Sequence, residues 1–213
     1  MIESWWGLAL AMAASYLLGS VPTGFLYGRL RGQDIRTLGS GNLGATNIHR
    51  IYGPMAGAAI LLLDACKGFI AVFWISRLAA WPTSDWAKVG CALSAILGHT
   101  YTCFLNFRGG KGVATSLGVF LGLAPAATLL VLLPFGAAVA LTRYVSVGSL
   151  SAAVGLPLLL LATGETGGQN AVLWLAVLVS LVVVIRHRQN IRRLLQGTEN
   201  RLGASGANKG ETC

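Results

Sequence analysis

The stretch VATSLGVFLGLAPAATLLVLLPFGAAVAL at residues 113–141 decides the architecture of this chain. At 1.5 Å per residue its roughly 30 residues would make a helix about 45 Å long, too long for one crossing of a ~30 Å hydrocarbon core and short for two full ones. The flanking cations resolve the count. Lys111 before the stretch, Arg143 after it and the later group Arg186, Arg188, Arg192 and Arg193 can share one side of a membrane only if the stretch crosses an even number of times. A break at Ala124 and Pro125 meets that condition, because proline after a small residue ends the helical pattern and leaves two short or tilted helices.

The rest of the chain fits around this pair. A first span over 5–27, bent near 19–22, ends at Arg29, Arg31 and Arg36, which puts that end in the cytoplasm and the N-terminus outside. A second span covers 53–75 and leads to the turn WPTSDW at 81–86, whose aromatics suit a membrane interface; a third, 89–107, returns to Arg108 and Lys111. After the divided stretch, a sixth span over 147–162 reaches the outer turn TGETGGQN, and a seventh over 171–185 comes back inside. The expectation is an all-α integral membrane protein of seven helices, one domain over 1–196, its C-terminus cytoplasmic, with a polar, disordered tail over 197–213.

Composition agrees. With 54% hydrophobic and 11% charged residues the chain is far from an average soluble domain, and its net charge of +9 sits between apolar runs, where it reports orientation rather than nucleic-acid binding. Glu3 precedes Trp5, so there is no basic region of a cleaved leader, and the first span is read as retained. Cys66, Cys91, Cys103 and Cys213 form no CxxC and have no histidine at zinc spacing; they read as small core residues, and no metal is expected. Small residues four apart, Gly53 to Gly57, Gly118 to Gly122 and Gly136 to Ala140, suit close helix packing in lipid. No long internal repeat is visible.

Two polar stretches break this pattern: GSGNLGATN at 39–47 and GGKGVAT at 109–115. Glycine admits positive φ and lets backbone N–H groups approach a ligand, while Ser40, Asn42, Thr46, Asn47 and Lys111 add donors suited to phosphate oxygens. Polar backbone at membrane depth is tolerated where protein buries it or a wet cavity needs it, so the two stretches suggest one shared cavity. Arg50 lies three residues past Asn47 and can add charge; Lys111 stands before a helix start, where free N–H groups and the helix dipole favour an anion. Ser146 and Ser149 are one turn apart, as are His187 and Asn190, and all fall on the cytoplasmic face. Taken singly each has a plainer reading. GGKG can be a turn with a cytoplasmic lysine, the serines packing hydroxyls, His187 an interfacial residue, His99 a structural histidine, and Asp64 with Lys67 an internal ion pair. Their coincidence on one face favours the cavity.

Two alternatives are excluded on spacing. A Walker A loop needs glycine where Leu105 stands and Ser or Thr where Gly112 follows Lys111. The HxxxxD acyltransferase pattern fails because Phe104, Pro54 and Arg192 occupy the acidic position after His99, His49 and His187.

The segments GSxPTG at 19–24, DIRTLGSGNLGATN at 34–47, DACKG at 64–68, FRGGKGVAT at 107–115, RYVSVGS at 143–149 and HRQNIRRL at 187–194 together resemble the bacterial acyl-phosphate:glycerol-3-phosphate acyltransferases. The likeness runs from the first helix to the last; Thr102 departs from it, standing where the GHxxPxF segment of that family has proline. The resemblance implies a multi-pass enzyme of the bacterial inner membrane, with a cytoplasmic-side site. It would move a fatty acyl group from acyl phosphate to the 1-hydroxyl of glycerol 3-phosphate, without a cofactor or an obligatory protein partner. Carried over by position, Ser40, Arg50, Lys111, Ser149, His187 and Asn190 are the catalytic candidates. Gly39, Gly41, Asn42, Gly44, Thr46, Asn47, Gly109, Gly110, Gly112 and Thr115 are the phosphate-binding candidates, with Asp64, Lys67, Arg143 and Ser146 in support. The proton acceptor is either His187 or a phosphate oxygen of the donor, and the lack of any Ser-His-Asp arrangement favours the second. A membrane carrier for a phosphorylated metabolite is the competing class, and it would need a polar exit on the outer side.

Overall fold

In the computed structural model, residues 2–78 and 85–203 are described, and all their regular structure is helical. The first apolar run forms α1 (Ile2–Ser20) and α2 (Thr23–Leu30), parted at Val21 and Pro22 as the proline directs. A short helix, α3 (Ala45–Tyr52), ends the first polar stretch, and Gly53 at φ 90° turns the chain directly into α4 (Pro54–Phe73). Then come α5 (Asp85–Thr100), α6 (Val113–Leu123), α7 (Pro125–Thr142), α8 (Val145–Thr163), α9 (Ala171–Arg186) and α10 (Arg188–Leu195). The division expected at Ala124 and Pro125 is present, with Ala124 held at φ −149°, ψ 71° between α6 and α7.

Five stretches, Trp5–Leu30, Pro54–Arg77, Pro125–Thr142, Val145–Thr163 and Gly168–Arg186, are long and apolar enough to cross a membrane, and Val113–Leu123 is a shorter apolar helix. Leu62, Leu133, Leu158 and Leu161 stand exposed on these helices, as lipid-facing side chains do. α5 is instead interior: Ala87, Cys91, Ala92, Ala95 and Ile96 are buried, with α1 on one side and α4 and α9 on the others. Inside, Val119, Phe120, Ala127, Val131, Leu160, Val172, Leu175 and Val179 form one apolar core across α6 to α9.

Close backbone approaches hold the helices together. A β-carbon on Gly118 would lie 1.7 Å from the Ala65 carbonyl oxygen, and one on Gly68 would lie 2.1 Å from that of Thr115, so α4 and α6 meet through their glycines. Gly19 and Gly98 play the same part between α1 and α5. Gly136 does not: it has nothing within 4 Å, so the pairing expected from its spacing to Ala140 is not used between helices of this chain. Of the cysteines expected in the core only Cys91 is buried; Cys66 and Cys103 are exposed and Cys213 lies outside the described residues.

The third span differs from expectation at both ends. Its helix begins at Asp85 and stops at Thr100, where the amides of Gly109 and Gly110 donate to Thr100 O and His99 O, each at 3.0 Å, and so take its last carbonyls. Thr102 has φ −65°, the value a proline ring would impose, and its hydroxyl donates to Ser20 O at 2.6 Å. Of WPTSDW, residues 81–84 lie outside the described residues; Trp86 donates to Gln169 Oε1 at 3.1 Å. The turn after α8 is fastened too. Glu165 accepts from Ala126 N at 3.2 Å and Ala127 N at 2.7 Å, capping α7, and Asp85 accepts from Gly168 N at 2.6 Å. The tail departs from the disorder expected of it over 197–203, which folds back along the bundle; 204–213 lie outside the described residues.

Candidate active site

The first polar stretch is shaped by Asn47, 1% exposed at the start of α3. Its Oδ1 accepts from Ser40 N at 2.8 Å and Ser40 Oγ at 3.1 Å, and its Nδ2 donates to Leu38 O at 3.1 Å. Gly39 and Gly41, at φ 58° and 68°, make the turn that permits this, and a β-carbon on Gly39 would sit 2.4 Å from Asn47 Oδ1. Asn42 accepts from Gly44 N at 2.9 Å. Asn47, read from sequence as a phosphate donor, thus has its amide committed to holding the loop.

The second polar stretch rests on the end of α5. The amides of Gly109 and Gly110, also expected to meet phosphate, are taken by the Thr100 and His99 carbonyls. A β-carbon on Gly110 would stand 2.1 Å from His99 Nε2, so these glycines seat the loop. From α9, Arg186 Nη2 donates to Gly109 O and Gly110 O at 3.0 Å. Gly112 at φ 86° then turns the chain into α6, whose first residues Val113 and Ala114 face a cavity. Their amides lack intrahelical acceptors by position, and the helix dipole adds positive potential there.

That cavity gathers most of the residues singled out from sequence. Ser40, Arg50, Lys111, Ser149, His187 and Asn190 all line it, and so do Asn42, Gly44, Thr46, Asn47, Gly112, Asp64 and Ser146. Gly39, Gly41, Gly109, Gly110, Lys67 and Arg143 are not among its lining residues; nor is Thr115, which is fully buried. Lys111 Nζ donates to Asn190 Oδ1 at 2.5 Å. Burial brings the Lys111 ammonium down to about 8, the Glu199 charge opposing and Arg193, Arg50 and Arg186 assisting. Arg50 Nη2 reaches Asn200 O at 3.3 Å, while its Nε is buried with no partner among the described residues.

His187 is the N-cap of α10 and Asn190 lies in its first turn, both buried. His187 Nδ1 meets the Val183 carbonyl at 2.8 Å, so Nδ1 carries the proton and Nε2 the lone pair. Burial first, then the Lys111 charge, lowers the imidazole to about 4. Beneath the loops, Asp64 and Lys67 form the expected ion pair at 2.9 Å. Asp64 also accepts from Thr23 Oγ1 at 2.7 Å, Lys67 donates to Val21 O at 3.1 Å, and His99 Nδ1 is 3.6 Å from Asp64. These residues fasten the break between α1 and α2 under the site.

Sequence reading missed Glu199. It lines the cavity, accepts from Ser146 and Asn190, and is paired with Arg193 at 2.6 Å. Burial opposes its ionisation, but the hydrogen bonds from Arg193, Asn190 and Ser146 outweigh that and hold its carboxyl below the usual carboxylate range. A signal existed: Glu199 is the only acidic residue between Glu165 and Glu211, set just after a run of arginines. Also missed was a second cavity, bounded mostly by apolar residues of α6 to α9, which shares Leu61, Val113, Ala114, Phe135 and Ser149 with the polar one.

Residues 9–197 match the model of the glycerol-3-phosphate acyltransferase family. A glycerol-3-phosphate acyltransferase of Geobacter sulfurreducens is 47% identical over 193 residues, covering 90% of this chain and 96% of its own. That of Thermus thermophilus is 46% identical over 95% of this chain and 97% of its own. Among solved structures, PlsY, an integral membrane glycerol 3-phosphate acyltransferase, in its glycerol 3-phosphate form matches with a TM-score of 0.85 and 37% identity over 92% of this chain and 96% of that one. Its lysophosphatidic acid form matches with a TM-score of 0.83 and the same identity, over 92% of this chain and 95% of that one.

Proposed function

The chain belongs to the glycerol-3-phosphate acyltransferase family, and from that premise we propose that it acylates the 1-hydroxyl of glycerol 3-phosphate with acyl phosphate as donor. The observation that carries the donor is the adjacency of the two cavities: a basic, donor-rich chamber shares Ser149, Val113 and Ala114 with an apolar one. A fatty acyl phosphate has that division, a charged head on a long apolar chain, and the second chamber is lined mostly by leucine, valine, alanine and phenylalanine side chains.

In the proposed reaction the 1-hydroxyl oxygen attacks the acyl carbonyl carbon. A carbon–oxygen bond to glycerol forms, the carbon–oxygen bond to phosphate breaks, and the hydroxyl proton passes to a phosphate oxygen. The products are lysophosphatidate and inorganic phosphate. A mixed anhydride is already activated, so the protein has to hold two phosphates, align the hydroxyl and stabilise developing charge. Lys111, Arg50 and the first amides of α6 suit the charge, and Ser40, Ser149 and Asn190 suit orientation of the two substrates. His187, lowered to about 4, is a poor base near neutrality, which supports proton transfer to the donor phosphate. The activated donor calls for no cofactor.

We place the site on the cytoplasmic side of a bacterial inner membrane, with seven crossings and the N-terminus outside. Arg29, Arg31, Arg36, Lys111, Arg143 and Arg186 fall at the sequence ends of the apolar runs that lead into or out of the loops of the site, in keeping with the cytoplasmic bias of basic residues. A carrier would need an opposite exit. The fastening of the outer turn through Glu165 and Asp85 speaks against one.

The test is phosphate release by the detergent-purified protein supplied with palmitoyl phosphate or palmitoyl-CoA, with and without glycerol 3-phosphate. Expected is release from palmitoyl phosphate alone of the two donors, dependent on glycerol 3-phosphate and yielding lysophosphatidate. Saturable glycerol 3-phosphate binding with no turnover would favour the carrier, and turnover with the CoA ester would overturn the donor.

A further inference from the structure

A carboxylate in a cavity built for anions calls for an explanation. Glu199 is 7% exposed there; its Oε1 accepts from Ser146 Oγ at 3.0 Å and from Asn190 Nδ2 at 2.6 Å, and its Oε2 from Arg193 Nε at 2.6 Å. An ionised carboxylate can only accept. Asn190 must therefore offer it the amide NH2, which turns Oδ1 toward Lys111, the group it accepts from at 2.5 Å. We infer that Glu199 is a positioning residue of this site: by fixing which way the Asn190 amide faces it fixes the direction of the Lys111 ammonium, and by holding Ser146 and Asn190 together it joins α8 to α10 across the cavity. With the amide reversed, an NH2 would face the ammonium and Lys111 would lose its acceptor.

The segment carrying Glu199 is anchored on its own account. Leu202 N donates to Arg143 O at 2.7 Å, Arg201 Nε to Tyr144 Oη at 3.1 Å, and Arg50 Nη2 to Asn200 O at 3.3 Å. The tail thus touches the parts of the chain that bring Arg50, Ser146 and Asn190 to the site. This gives the segment over 198–202 the character of a brace.

The charge of Glu199 has a second effect. Arg193, Arg50 and Arg186 repel the Lys111 proton, Glu199 favours it, and His187, Asp64 and His99 line the same cavity. Lys111 is brought to about 8 in this balance. A protonated lysine binds a phosphate dianion, and glycerol 3-phosphate is a dianion well above its second pKa of about 6, so binding is full near pH 7 and declines as pH rises through about 8. Removing the Glu199 charge moves that decline to lower pH.

The inference rests on the proposed function, and the experiment separates the two. Glycerol 3-phosphate binding to the full-length detergent-purified protein is measured by calorimetry from pH 6.5 to 9.5 for the unchanged chain, Glu199→Asp and Glu199→Gln. Aspartate keeps the charge but loses the reach to Asn190, so affinity at pH 7 should fall about 10-fold with the alkaline decline unmoved. Glutamine keeps an acceptor but not the charge, so the decline should shift down by about half a pH unit or more. Two variants guard against one failing to fold, checked by size exclusion. A role confined to folding stability would lower yield and leave both readouts alone, which overturns the inference. So does tighter binding in either variant, which would mean that the carboxylate merely occupies the place of the substrate phosphate. No binding by the unchanged chain would instead sink the proposed function.

Discussion

His187 sits at the turn between α9 and α10 with Nδ1 fixed on the Val183 carbonyl and its imidazole lowered to about 4 by burial and by Lys111. A lowered histidine pKa means the ring is neutral at every pH above about 5, so its titration does not coincide with any loss of activity between pH 5 and 7. We expect His187→Ala to lower kcat by less than about 100-fold and to leave the acidic limb of the pH–rate profile where it stands, since that limb belongs to the substrate phosphates. A limb that moves or vanishes in steady-state rates of the variant would make His187 the proton acceptor. At this scale the sequence was informative about residue types and less so about their partners. Lys111, Arg50, Ser149 and Asn190 were legible because donors recurring at helical spacing on one face have few other uses inside a membrane. That the amides of Asn47, Gly109 and Gly110 are already bonded was not legible, because whether an amide is free depends on what folds against it, here Leu38, Thr100 and His99. Glu199 was invisible to a search for cations.

At the scale of elements, hydropathy and proline gave the helix boundaries well where each helix ends by its own sequence, as at Pro22 and at Ala124. They failed where a neighbour ends it: α5 stops at Thr100 because the returning loop takes its last carbonyls, and no local residue announces that. The small-residue spacings likewise named candidates without saying which meet another helix. Gly118 and Gly136 are a matched pair for a test, both inside helices, one with backbone 1.7 Å from a built β-carbon and the other with nothing within 4 Å. Gly118→Ala should overpack the contact of α4 with α6 and destabilise by about 1–3 kcal/mol. Gly136→Ala should be neutral or gain up to about 1 kcal/mol from helix propensity. Thermal unfolding in detergent checks this, and equal midpoints for the two variants would mean that the glycine contacts do not hold these helices together.

For the whole molecule, the loops and helices divide the work. Two glycine loops, anchored on α3 and α5, face the ends of α8 and α9 across a polar chamber, while α6 to α9 enclose the apolar chamber beyond it. The polar half could be read in the sequence because loops carry their chemistry in short motifs. The apolar half could not, since the residues that bound it look like any other leucines, valines and alanines of a membrane bundle. If these two chambers act as one site, a bulky side chain at Ala152, which lines only the apolar one, must discriminate between donors by chain length. Ala152→Phe should cut turnover of palmitoyl phosphate by at least about 10-fold while leaving octanoyl phosphate turnover and glycerol 3-phosphate affinity within about two-fold. Unchanged palmitoyl phosphate turnover in a folded Ala152→Phe protein would contradict it.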